Sequence, residues 1–142
     1  MNKEQSAGKF LLAGGVAELV IAAIHFLMPL SIDRSARIAG VPAEYRSFIS
    51  LATSAVGICM VVFGVLSIYF SKRTSQDGRT WWIFSLSQGL LWAVRAFLEL
   101  ILPVRIPLFF LPDPTLVILS AAIGVALLFL IPSLGFQNEL EE

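Results

Sequence analysis

The chain has 142 residues, of which 57% are hydrophobic and only 14% charged, with ten basic residues against ten acidic ones. A soluble domain of this length carries about a quarter charged residues, so this is a membrane composition. No basic face or aromatic-basic interleaving supports a nucleic-acid partner, and the single cysteine, Cys59, excludes an intramolecular disulfide and a cysteine-cluster metal site.

A short polar head, residues 1–9, precedes the first apolar run, Phe10–Leu30 (FLLAGGVAELVIAAIHFLMPL). At ~1.5 Å per residue this run crosses the ~30 Å hydrocarbon core of a bilayer. Lys3 and Lys9 before an apolar segment also suit a signal peptide, but Glu18 and His25 interrupt the run. It exceeds the roughly 7–15 residues of a signal core, and no small-x-small cleavage site follows. Pro29 marks the expected helix exit. Ser31–Arg46 (SIDRSARIAGVPAEYR) is the longest polar connection, and Ala43–Phe48 is expected to form an interfacial helix that runs into the next span.

The second run, Ser47–Phe70, carries no charge. Its small residues Ser50, Ser54, Gly57 and Gly64 favour close approach of another helix, and Cys59 within it reads as a packed side chain made unreactive by burial. Residues 71–80 form a polar loop with an Asp-Gly turn and three basic residues. The third run is Trp81–Leu102, ended by Pro103, and a proline-rich link follows whose Leu108–Leu111 stretch suits the membrane interface. Thr115–Ile131 is the fourth run, with Ser120 and Gly124 as a close-packing pair, Pro132 as its end and a frayed acidic tail beyond.

The expected fold is all-α: a polytopic membrane protein whose single domain, 1–142, is a four-transmembrane-helix bundle with short loops. Its spans are about 10–30, 47–70, 81–102 and 115–131. Four spans put both ends on one side. Lys3, Lys9, Lys72, Arg73 and Arg79 lie there, against Arg34, Arg37, Arg46 and Arg105 opposite, which favours cytoplasmic termini in a bacterial-type inner membrane.

The third span holds the most informative pattern. Gln88, Trp92, Arg95 and Glu99 fall within about 60° of one another on a helix. On the first span, Glu18 and His25 are ~10 Å apart along the axis and share a face with Gly14, Gly15 and Ala22. An ionised side chain at mid-bilayer costs roughly 2.5–3.5 kcal/mol, so both faces must turn to protein or water. Taken from the span midpoints, Glu18 lies near the level of Gln88 and Trp92, and His25 lies between Arg95 and Glu99.

One reading is structural. Arg95 and Glu99 pair at i, i+4, Glu18 is a second counter-ion, His25 is hydrogen-bonded across helices, and Trp81 with Trp82 forms an interfacial aromatic belt. The functional reading places the two stripes around a cavity that binds a ligand with an anionic head or moves protons. Glu18, His25 and Glu99 include metal-ligand types, but one histidine and no HxxH or ExxH spacing argue against a metal, and against haem beyond one axial ligand.

The outline of four short spans with buried acidic groups is similar to small bacterial membrane families of the DoxX kind and, loosely, to sterol-isomerase-like lipid-binding bundles. That similarity is one of hydropathy. Neither the E(x6)H of Glu18 and His25 nor the W(x2)R(x3)E of Trp92, Arg95 and Glu99 transfers a chemistry.

The expected function is binding of a small amphipathic or lipophilic ligand, or a membrane lipid, in a polar pocket between the first and third spans. Arg95 is the anion anchor, Glu18 and Glu99 the counter-ions or proton acceptors, His25 the titrating group, and Gln88 and Trp92 the orienting wall. The alternatives are a transporter or channel protomer assembled as a homo-oligomer, and an accessory subunit whose ion pairs only fix helix packing. An enzyme would be of the proton-transfer or isomerase type, since the chain has no nucleophile-base pair, P-loop or CxxC. No cofactor is indicated.

Overall fold

The computed structural model describes residues 3–38, 40–74, 78–103, 109 and 111–140. Four helices follow in order: α1 (Lys3–Ile38), α2 (Ala43–Ser71), α3 (Gly78–Ile101) and α4 (Thr115–Leu140). Each is long and apolar enough to cross a membrane. α1 packs mainly on α2 and also on α4, and α4 packs on α3.

The bundle has an apolar core, with Leu11, Ala22, Trp81 and Phe129 in it, into which polar side chains are set, and its outer surface is apolar as well. Glu18, Ser67, Ser85, Gln88, Glu99 and Ser133 are buried, while Val20, Leu51, Val65, Val94 and Leu116 are among many large apolar side chains turned outward. An outer surface of this kind suits lipid rather than water.

Glycines set two of the close crossings. A Cβ on Gly15 would stand 2.8 Å from the Gly64 carbonyl, and one on Gly64 would stand 2.9 Å from the Gly15 carbonyl, so α1 and α2 meet backbone to backbone there. A Cβ on Gly89 would stand 2.6 Å from the Leu130 side chain, so α3 comes close to α4 there.

Several expectations are corrected. Neither Pro29 nor Pro132 ends its helix; both stand inside one, so α1 runs on to Ile38 and α4 to Leu140. Most of the connection expected over Ser31–Arg46 is therefore helix, with the turn near Gly40 (φ 71°) joining α1 to α2. Proline is tolerated within an apolar helix when neighbours supply donors to the loosened turn. Pro132 has no N–H for the Leu128 carbonyl, and α3 ties down the turn on either side of it: Ser85 Oγ donates to the Phe129 carbonyl (2.7 Å) and Trp82 Nε1 to that of Ser133 (2.8 Å). Trp81 is also no belt residue. It is buried, and its indole donates to the Thr74 carbonyl at 3.0 Å. Cys59 is exposed rather than packed, because its side of α2 is the outer apolar one. Gly124 and Ser120 are exposed too, and a Cβ on Gly124 meets nothing within 4 Å, so that pair makes no close-packing face.

Candidate functional site

The Gly15–Gly64 crossing determines what Glu18 touches. One turn beyond it on α1 is Glu18, and three residues beyond it on α2 is Ser67, whose Oγ lies 3.1 Å from Glu18 Oε2. From α3, Trp92 Nε1 donates to Glu18 Oε1 at 3.1 Å. A fully buried carboxyl thus joins three helices through neutral groups. Ser67 Oγ also lies 2.8 Å from the Phe63 carbonyl. A hydroxyl has one proton, so it can serve only one of these two acceptors at a time.

Arg95 and Glu99 form a second unit within α3. Arg95 Nη2 stands 2.7 Å from Glu99 Oε2, close enough for an ion pair though not aligned as a hydrogen bond. Glu99 is fully buried and the Arg95 side chain is 36% exposed, so the pair reaches from the interior towards the outer face. Glu18 is not within ion-pair distance of Arg95 among the described residues; the expected second counter-ion sits instead with Trp92 and Ser67.

His25 is half-buried, and its Nδ1 lies 2.8 Å from the Ile21 carbonyl of its own helix. A carbonyl only accepts, so Nδ1 carries the proton in this contact. The expected cross-helix bond of His25 is therefore an intrahelical one. Its Cβ lies beside Gly57 of α2, away from the Glu18 contacts by two turns of α1.

Gln88 occupies the same α3 face one turn before Trp92. It is 4% exposed, and its Oε1 is buried without a hydrogen-bond partner among the described residues. A bare buried acceptor costs roughly 1–3 kcal/mol, which makes Gln88 the least satisfied of the six residues selected from the sequence.

The structure thus brings Glu18 and Trp92 together, and Arg95 with Glu99, while it leaves His25 on the α2 side. Ser67 escaped the sequence reading. Its signal was present: Gly57, Met60, Gly64 and Ser67 form one buried row at three- and four-residue spacings, and Ser67 is the polar member of that row. Among the described residues, no group of three or more His, Cys, Asp or Glu side chains could hold a metal ion. Comparison of the chain with protein-family models, with curated proteins and with solved structures gives no match.

Proposed function

We propose that this is an integral membrane protein, with both termini on the cytoplasmic side of a bacterial-type inner membrane, that binds a small amphipathic or lipophilic molecule between α1 and α3. The observation that carries the reading is the unpartnered Gln88 Oε1, one turn from the Trp92 indole that holds Glu18. A ligand hydroxyl or amine would donate to Gln88, and its apolar body would lie among the helices. Arg95, whose side chain reaches outward while Glu99 stays buried, would meet an anionic group.

Native mass spectrometry of protein extracted in mild detergent tests this. The wild type should carry a co-purifying small molecule, and Gln88→Leu should fold with undiminished thermal stability yet lose it. A wild type that carries no such molecule, or a Gln88→Leu variant that keeps it, rejects the reading.

A structural role is the second reading. It is favoured by the two contacts that α2 and α3 direct at Glu18, which tie three helices together at one buried carboxyl.

A further inference from the structure

A second polar site lies at the junction of α1 and α2. A cavity of about 530 Å3 is lined by Asp33 and Arg37 from the end of α1, and by Ala43, Arg46, Ser47, Ser50, Leu51 and Ser54 from the start of α2. Asp33 is shared between two guanidinium groups. Arg37 Nε donates to its Oδ2 at 2.7 Å, and Arg46 Nε stands 3.5 Å from its Oδ1. The first is a hydrogen bond. The second is an ion pair only, and Arg46 Nε is buried with no hydrogen-bond acceptor among the described residues. The charged lining is two cations to one anion, which leaves one positive charge in excess.

Three further features suit an anion. Ala43, Arg46 and Ser47 place the first turn of α2 along the cavity wall, so that the partial positive charge of that helix end lies beside the space. Ser50 and Ser54, four residues apart, add hydroxyl donors to one wall. Depth is the third. Asp33 and Arg37 lie about 5 and 10 Å beyond the Phe10–Leu30 core of α1 at ~1.5 Å per residue, and Arg46 immediately precedes the apolar core of α2. Both arginines therefore stand at headgroup level on one face of the bilayer. Leu51, 70% exposed at the edge of the cavity, and Phe48, equally exposed, offer an apolar surface beside it for an acyl chain.

We propose that this cavity binds a phosphate group, with the phosphodiester headgroup of an anionic membrane lipid or a free phosphate as its two sources. Arg46 and Arg37 bind the phosphate oxygens, Asp33 holds the two guanidinium groups in position, and Ser50 and Ser54 contribute hydroxyl donors. This site is separate from Glu18 and Gln88, and stands or falls independently of them.

The test is native mass spectrometry of the full chain in detergent with added phosphatidylglycerol or phosphatidylcholine of identical acyl chains, each with and without inorganic phosphate. A hydrogen bond to a charged group corresponds to about a tenfold change in affinity or more. Phosphatidylglycerol should therefore be retained about tenfold better than phosphatidylcholine, and Arg46→Gln or Arg37→Gln should abolish the preference. Arg34→Gln, an exposed neighbour that does not line the cavity, should leave it unchanged. Ser54→Leu, which fills the space without touching the ion pairs, should lower retention as well, and it carries the test if Arg46→Gln does not fold. Displacement of the lipid by millimolar phosphate identifies the free anion as the source; persistence of the lipid identifies the headgroup. Equal retention of the two lipids with no binding of inorganic phosphate, or an undiminished preference in both Arg46→Gln and Ser54→Leu, overturns the proposal.

Discussion

Trp92 and Glu18 are 74 residues apart in the chain, yet the indole nitrogen of one donates to a carboxyl oxygen of the other at 3.1 Å in the buried interior. This bond ties α3 to α1, and the Ser67 contact on the other oxygen ties α2 to the same group. Trp92→Phe keeps the ring and removes the donor. It should lower stability by roughly 1–3 kcal/mol, the usual consequence of stripping one partner from a buried polar group. Thermal unfolding in detergent measures this, and an unchanged midpoint would show that the bond contributes nothing.

Glu18→Gln and Glu18→Ala should separate sharply. The amide oxygen of glutamine still accepts from Trp92, and its NH2 donates to Ser67 Oγ while Ser67 donates to the Phe63 carbonyl, so every partner is served. Glutamine should therefore stay within about 1 kcal/mol of wild type, whereas alanine strips the acceptor from the Trp92 indole, leaves Ser67 only the Phe63 carbonyl, and adds a cavity, a loss of roughly 2–5 kcal/mol. Equal losses in the two variants would mean that the charge, not the hydrogen-bond pattern, is what the bundle needs.

Arg95→Ala removes the guanidinium that stands 2.7 Å from the buried Glu99 carboxylate. Arg95→Ala should cost about 3 kcal/mol, near the low end of the roughly 3–5 seen for buried pairs, because Arg95 is partly exposed. Arg95→Met with Glu99→Gln should recover most of that loss. A double variant no more stable than Arg95→Ala would show that the two side chains act separately.

Glycine substitutions should report the helix crossings. Gly64→Ala drives a methyl to 2.9 Å from the Gly15 carbonyl, a backbone atom that cannot swing aside, so α1 and α2 must separate at a cost of about 1–3 kcal/mol. Gly124→Ala meets nothing within 4 Å, and should be neutral or gain up to ~1 kcal/mol from helix propensity. The ratio of folded to aggregated protein after detergent extraction would reveal a reversed order.

Labelling tests the topology. In a Cys59→Ser background, Glu44→Cys and Lys72→Cys mark the two ends of α2 and should react with a membrane-impermeant maleimide from opposite sides of the bilayer. Native Cys59, exposed on the outer apolar face, should react with an apolar maleimide and resist a charged one. Labelling of both ends from one side would exclude α2 as a span.

The positions of the four helices were legible in the sequence, because an apolar run of bilayer length and the turn residues between runs are local properties. So was the shared face of Gln88, Trp92, Arg95 and Glu99, since helical spacing alone decides which residues align. Periodicity identifies a face but not the neighbour that it meets. Only the backbone contact between Gly15 and Gly64 brings Ser67 to Glu18, and only the tertiary packing of α1 and α3 around α4 brings the Trp92 indole, rather than Arg95, to the Glu18 carboxyl. The continuation of α1 past Pro29 likewise depended on the surroundings. It carries Asp33 and Arg37 up against Arg46 and turns an expected loop into a cavity with an excess positive charge. Cys59 and Gly124 show the same limit from outside: both are small and look like packing residues in sequence, and tertiary structure places them on the outer surface. Short-range order follows from hydropathy and spacing, whereas partner choice follows from how close two backbones can come, which no single helix determines.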